Sequence, residues 1–444
     1  MEKLLGVFET AEEALAAAEK AQKELVNNYS TEQRQAMIDS MKKMGMEHLE
    51  ELSHMELDET GYGRYEDKLQ KNGGSFSKTQ GIEALTHEVL ASSAGLTVDY
   101  YAPYGLVGAV TPCTNPSSTI FANGICNLAA GNAVVFNAHP AAKKSCAYAC
   151  HLANQAIVEA GGPANLLTMP AEPTMETLDV IMKYPTVKLL LGTGGPGMVK
   201  TLMSSGKKVI AAGPGNPPCV VDETADIKKV AAGLTMGASF DNNLLCIAEK
   251  EVFVVDSVFD ELIKEMVALG NRLLTPEEAA IANEKCTIET PNGGRATNKK
   301  YVGKNAAVIL KDLGIPVEGD PRLAILEAKN EDNLVQTEQM MPVLPLVRCK
   351  DFDEAVERAV AAEHGNWHSS AIWTARLDRA TKLGKMINTT VFAMNAPTLA
   401  AFGICGTGTN SPTIATPTGE GVTSPRSFAR RRRFAMGDGL GYVL

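Results

Sequence analysis

Near the start of the chain, hydrophobic positions recur at helical spacing. Leu15, Ala18, Ala21 and Leu25 fall on one face, and Thr10 followed by Glu13 has capping-box spacing, which predicts a helix just after Thr10. Ser30 and Gln33 repeat the signal ahead of a long helix through Met41 and Met44, whose methionines read as core filling. From Gly105 the pattern changes. Short apolar runs at 106–111, 133–136, 187–191, 209–211 and 252–255 alternate with helical stretches such as 145–160 and 198–203. Strands apolar on both sides imply parallel sheets covered by helices on both faces, so the fold class is α/β. The Pro/Gly-rich segment 213–218 is the expected hinge or domain boundary. A second α/β region follows it, and the chain beyond Gly403, rich in Gly, Thr and Ser, reads as loop.

With 444 residues the chain is too long for one simple core, so two or three domains are expected. Hydrophobic residues at 45% and charged residues at 21% fit an ordinary globular enzyme. A formal charge of -10 argues against nucleic acid or anionic membrane as the main partner. The one basic run, Arg430 to Arg433, reads as a solvated or interface patch. No apolar stretch approaches the ~20 residues of a membrane span, and no secretory signal opens the chain. Nine cysteines, odd in number and irregular in spacing, make no disulfide framework, and no Cys-x-x-Cys pair or His-rich tract suggests a metal site. These features describe a cytoplasmic protein with mostly buried, reduced thiols.

Three places could carry chemistry. Gly192-Thr193-Gly194-Gly195-Pro196-Gly197 follows an apolar strand and precedes a helix, as a dinucleotide-binding turn does. Its proline is awkward there and no acidic residue closes the next strand, so a tight structural turn remains an equal reading. Cys246 ends the polar loop 239–245 just before a strand, where reactive side chains are often displayed, although a buried structural thiol is the commoner fate of a cysteine. Asn115, between Pro112 and Pro116, is either an oxyanion donor or a turn former.

Taken together, these motifs resemble the aldehyde dehydrogenase superfamily. The matching pieces are Asn115 in Thr-Pro-x-x-Asn-Pro, Ala-Gly-Asn-Ala-Val-Val at 130–135, the turn at 192–197, Cys246 in Ser-Phe-Asp-Asn-Asn-x-x-Cys, and Glu338 in Thr-Glu-Gln-Met-Met-Pro. Gly-Arg-Tyr-Glu-Asp-Lys at 63–68, His-Pro-Ala-Ala-Lys-Lys at 139–144, Gly-Asn-Pro-Pro at 215–218 and Thr-Pro-Thr-Gly-Glu-Gly-Val-Thr-Ser at 416–424 narrow it. They resemble the CoA-acylating branch, most of all the propionaldehyde and acetaldehyde enzymes of bacterial microcompartments.

The resemblance implies an aldehyde dehydrogenase fold. Residues 1–95 and 105–215 would form a Rossmann-like cofactor domain and 216–408 an α/β catalytic domain. A small β oligomerisation extension would take 96–104 and 409–444. It also implies roles. Cys246 attacks the aldehyde, while Asn115 and the Cys246 backbone N–H hold the oxyanion. Thr111, Pro112, Asn137, His139, Thr193, Gly194, Gly195 and Glu338 line the cofactor, NAD or NADP. Hydride then leaves to the nicotinamide and coenzyme A cleaves the thioester, with His364 or His368 helping the CoA thiol. Expected partners are the aldehyde, CoA, a second copy of the chain as homodimer or dimer of dimers, a microcompartment shell and an aldehyde-producing dehydratase. The enzyme would then sit in the cytoplasm or inside such a compartment, although the first helix starts so near Met1 that no N-terminal encapsulation segment is evident.

One departure decides between chemistries. Hydrolytic relatives carry a water-activating glutamate in Glu-Leu-Gly-Gly-Lys, and the corresponding segment here is Ala212-Gly213-Pro214-Gly215-Asn216. Without that base, attack by water loses ~10²–10⁴-fold, leaving the thioester for a thiol. A second departure, Asn137 in place of the cofactor-ribose lysine of many relatives, leaves NAD against NADP open. The rival readings are a hydrolytic aldehyde dehydrogenase, an acyl-phosphate reductase on the same fold and a catalytically silent scaffold or cargo protein.

Overall fold

The computed structural model describes residues 4–291 and 293–437, and these form two compact units. The first holds the chain up to residue 59, 72–212, and 409 onward; the second holds 60–71 and 213–408. The main division falls at the start of the Pro/Gly-rich segment. Each unit has its own hydrophobic core.

In the first unit both capping boxes form. Thr10 and Glu13 close the start of the helix Ala11–Asn28, and Ser30 and Gln33 that of Thr31–Glu47. Met37, Met41 and Met44 of the second helix are buried, as core filling requires. The sheet has six parallel strands in the spatial order Val7–Phe8, Leu167–Pro170, Ala133–Ala138, Leu106–Thr111, Val187–Thr193, Lys208–Ala212. Four of the five apolar runs read from the sequence lie inside these strands; the fifth, 252–255, lies in a strand of the second unit. From Leu106–Thr111 the chain builds the sheet to one side, then returns at Val187 to build the other. The ends of Leu106–Thr111 and Val187–Thr193 therefore flank a topological switch point, where open α/β sheets bind ligands.

A three-stranded antiparallel sheet, Glu88–Ser92, Gly95–Pro103 and Ala429–Gly437, belongs to this unit. It takes in a strand, Glu88–Ser92, that the sequence reading left with the cofactor domain, because a tight turn after Ser92 folds it back onto Gly95–Pro103. The basic run lies on its last strand. Arg431 and Arg433 pair with Asp99, and Arg432 stacks over Tyr100. Residues 438–444 of the expected extension lie outside the described residues.

The second unit has seven parallel strands in the order Arg272–Leu273, Ala324–Ala328, Val343–Cys349, Glu251–Val255, Pro218–Val221, Ser369–Trp373, Val391–Met394. The segment 60–71, expected in the first domain, groups with this unit instead. Its charged side chains reach a buried aspartate of the second unit, described below. Among the described residues no helix is long and apolar enough to cross a membrane.

Candidate active site

Cys246 ends a loop with an unusual backbone. Asp241, Asn242 and Asn243 all have left-handed φ, of 48°, 55° and 61°. Asn and Asp tolerate that region better than most residues, but three in a row persist only if the surroundings hold them. Those surroundings are the segment 60–71. Lys71 and Lys68 both pair with the buried Asp241 carboxylate, Arg64 donates its backbone N–H to Asp241 at 3.0 Å, and the Asp241 N–H donates to Asp67 at 2.9 Å. Arg64 also donates Nε to the Asn242 side chain at 3.0 Å. A Cβ at Gly63 would overlap the Asp241 carboxylate, so glycine is required by close approach. Burial pushes the Asp241 carboxyl upward, yet Lys71 and Lys68 hold it below the ordinary aspartate value.

The loop leads to the N-terminal edge of the second sheet. Four strands adjacent in that sheet, Val343–Cys349, Glu251–Val255, Pro218–Val221 and Ser369–Trp373, are each preceded by a segment carrying a candidate group. These are Glu338, Cys246 with Lys250, Gly215 with Asn216, and His368. The Gly215 N–H donates to the Glu338 carboxylate at 3.3 Å, and the Glu338 carbonyl accepts from the Thr297 hydroxyl. The His368 ring lies so close to Gly215 that a Cβ there would come within 2.8 Å of it, and within 2.9 Å of the Cys246 carbonyl.

The electrostatics of this edge are those of a low-dielectric pocket. Desolvation, then the Glu338 carboxylate, push the Cys246 thiol up to about 12, while Lys250 pulls it down. The thiol is neutral at rest and must be activated to react. Desolvation raises Glu338 above the ordinary carboxylate value, against the Lys250 charge and the Gly215 N–H. Burial brings His368 down to about 4, helped by Lys250. Its Nδ1 meets the Ser369 hydroxyl at 2.8 Å, while Nε2 is buried without a partner. His364, by contrast, is exposed, with Nε2 at 3.1 Å from the Gln336 carbonyl. Six of the nine cysteines are buried, and Cys246 is partly exposed.

The remaining predicted residues lie in the first unit. Asn115 occupies the N-cap position of the helix Pro116–Ala129 but makes no capping hydrogen bond with its side chain. Its amide oxygen is buried and unpartnered. The buried Glu56 carboxylate accepts from the Ser117 N–H instead, at 2.8 Å, so the side chain of Asn115 is not the cap that its sequence position suggests. Asn115 follows Thr111 and Pro112 at the end of one switch-point strand; Thr193, Gly194 and Gly195 end the other. Gly194 and Gly195 have ordinary φ, and a Cβ at either would meet no crowding, so neither packing nor a left-handed turn demands glycine. Asn137 is occupied: its amide donates to the Thr174 carbonyl at 3.1 Å and accepts from the Thr177 hydroxyl at 2.7 Å. His139 Nδ1 accepts from the Ala141 N–H at 3.1 Å.

Sequence reasoning missed Lys250, Glu56 and the clamp at 60–71. Each is a buried charge, and charged residues in a sequence read first as surface.

The aldehyde dehydrogenase family model matches residues 6–290 and 320–411, and the chain belongs to that family. It is 42% identical to the acetaldehyde dehydrogenase (acetylating) EutE of Salmonella typhimurium, over 99% of this chain and 94% of that one. A solved propionaldehyde dehydrogenase from the fucose utilisation bacterial microcompartment of Clostridium phytofermentans is 43% identical. It superposes with a TM-score of 0.95 over 98% of this chain and 99% of its own. The Rhodopseudomonas palustris propionaldehyde dehydrogenase with bound propionyl-CoA is 41% identical, with a TM-score of 0.94 over 98% and 96%.

Proposed function

We propose that this chain is a CoA-acylating aldehyde dehydrogenase. It oxidises a short aldehyde such as propanal or acetaldehyde with NAD and passes the acyl group from Cys246 to coenzyme A. The observation that carries this reading is a retained thiol together with a missing base. Cys246 stands on a loop held by buried ion pairs, whereas position 212, where hydrolytic relatives have their water-activating glutamate, is a buried alanine. The relatives support it: one is named acetylating, and the Rhodopseudomonas protein has also been solved with bound CoA and an acylated cysteine.

In this reading Cys246 is the nucleophile, and its backbone N–H and the Asn115 amide are the oxyanion donors. The idle capping position of Asn115 supports its role, since a side chain needed only to form the turn would be bonded to it. Bound nicotinamide dinucleotide supplies the hydride acceptor. Thr111, Pro112, Asn137, His139 and Thr193 to Gly195 surround it, and Glu338 orients its ribose. Uncrowded Gly194 and Gly195 suit a backbone that must approach a ligand closely. With its amide engaged by Thr174 and Thr177, Asn137 shapes the site through those residues.

Of the two histidines, His364 suits the CoA thiol better. A buried imidazole with a pKa near 4 is a weak base at neutral pH, so His368 serves as a wall against Gly215. The histidine and cysteine replaced in two solved variants of the Clostridium protein lie as far apart along its chain as His364 and Cys246 do along this one. The antiparallel sheet exposes Val89, Leu90 and Phe434, and we assign it the contact between copies in a homodimer or dimer of dimers. The microcompartment origin of the Clostridium relative supports a place inside such a compartment, beside its shell and an aldehyde-producing dehydratase.

The test is NADH formation from propanal with CoA present or omitted. Sustained turnover only with CoA supports the acylating reading, and equal turnover without it points to the hydrolytic rival.

A further inference from the structure

The nucleophile's loop is closed by a cation that the proposed mechanism does not yet use. Lys250 is completely buried at the start of the strand Glu251–Val255. Its ammonium donates to the Asn243 carbonyl at 3.0 Å, to the Asn243 side-chain oxygen, and to the Leu245 carbonyl at 3.1 Å. Three oxygen acceptors match the three N–H bonds of an ammonium, and a neutral amine would leave one of them without a donor. Burial is the largest influence and brings the lysine pKa below its ordinary value, while Glu338, Cys246, Glu251 and Glu249 work against it and favour the charged form; His368 is the other titratable group in its field.

The position of the Leu245 carbonyl matters most. It belongs to the same peptide as the Cys246 N–H, so a cation on the oxygen fixes the direction of that N–H and polarises it as a donor. The backbone on the other side is fixed as well, because the Asn243 amide that accepts from Lys250 also donates to the Ala238 and Glu249 carbonyls, at 2.8 and 3.0 Å. Lys250 is fixed in turn, since its N–H donates to the Pro217 carbonyl and its carbonyl accepts from Gln339, the neighbour of Glu338.

We propose that Lys250 is a positioning residue for the reaction: it sets the Leu245–Cys246 peptide as an oxyanion donor and supplies the fixed positive charge against which the Cys246 thiolate forms. This rests on Cys246 being the nucleophile. No substrate contact is assigned to Lys250. It acts through the peptide and through its field, opposite in sign to that of Glu338.

The experiment is iodoacetamide alkylation of the full-length enzyme as a function of pH, with the labelled cysteine identified by peptide mass. Lys250→Met removes both charge and donors. Lys250→Gln removes the charge but keeps an N–H₂ group for the loop carbonyls, so it covers the case in which the Met variant does not fold. Both variants are expected to alkylate Cys246 about tenfold more slowly than wild type at pH 8, with the profile displaced to higher pH. Glu338→Gln is expected to displace it to lower pH. Loosening of the loop alone would reduce turnover without moving the pH profile in opposite directions for the two sites. Unchanged profiles in Lys250→Gln and Glu338→Gln would overturn the proposal. Labelling of a cysteine other than Cys246, with Cys246→Ala still active, would overturn the nucleophile assignment itself, a failure distinguishable from the first.

Discussion

The Glu56 carboxylate accepts from the Ser117 N–H at 2.8 Å, so a residue far away in sequence caps the helix that Asn115 precedes. Glu56 also accepts from Asn72 at 3.2 Å, and the Asn72 amide in turn donates to Ser53 at 3.1 Å, forming a buried polar set beneath the helix start. The two residues should therefore fail differently. Asn115→Ala should lower kcat by ~10²–10³, the usual effect of losing an oxyanion donor, with little change in thermal stability or cofactor affinity. Glu56→Ala leaves buried donors unpaired and should cost about 1–3 kcal/mol per orphaned group. Measuring kcat and urea midpoints for both separates the roles; a stability loss in Asn115→Ala with near-normal kcat would make it a turn former after all.

Asp241 gives a pH-dependent prediction. Its carboxyl is held below the ordinary aspartate value by Lys71 and Lys68, so the folded state binds its proton less readily than the unfolded state. A depressed carboxylate stabilises the fold above the unfolded pKa of about 3.9, and that contribution is lost as pH falls below it. Asp241→Asn leaves two buried lysines uncompensated, and removing one partner of such a set costs ~3–5 kcal/mol. The gap in urea midpoint between variant and wild type should hold from pH 8 to 5 and narrow below about pH 4. A gap independent of pH down to 3 would mean the aspartate acts by shape rather than charge.

Why Cys246 stands out in the sequence while the residues around it do not follows from the same geometry. The runs 106–111, 187–191 and 252–255 are apolar but for Lys188 and Thr111, a local pattern, and the helix caps at Thr10 and Ser30 are local pairs; all were legible. The clamp on Asp241 joins residues whose separation along the chain is 170 or more, and its members are ordinary charged residues. In the sequence the motif at 63–68 could be matched to a family but not explained; in the fold each of Gly63, Arg64, Asp67 and Lys68 meets the Asp241 loop. The edge strand Glu88–Ser92 was missed because its side chains are all exposed and carry no burial pattern. His364 and His368 were not separable in the sequence, because only the fold shows that the first is exposed and the second buried.

Cys246→Ala should abolish NADH formation and the alkylation that inactivates the wild type while leaving the fold intact, since a covalent pathway has no substitute nucleophile; the exposed Cys405 remains open to labelling. Wild-type alkylation without cofactor should climb steadily from pH 7 to 10 rather than level off, because desolvation and Glu338 push the thiol up to about 12. A plateau below pH 8 would show a resting thiolate. Cys113 is the competitor, being also partly exposed and two residues from Asn115; labelling confined to it would overturn the assignment.

The choice between water and CoA is settled by one turnover. With Ala212 in place of a base, the acyl-enzyme has no activated water, so the wild type without CoA should release one NADH per active site and stop. Intact mass should then find the acyl group on Cys246, and adding CoA should restart turnover. Ala212→Glu should introduce slow, CoA-independent acid formation, if a carboxylate is tolerated at a position that is 2% exposed. Its pKa would be raised by burial, so the new activity should increase with pH across the neutral range as the carboxylate ionises. The wild-type trace decides the matter, because failure of the mutant has the alternative cause of poor packing. Steady conversion to free acid by the unmodified enzyme would remove the acylating assignment while leaving the family and the Cys246 nucleophile standing.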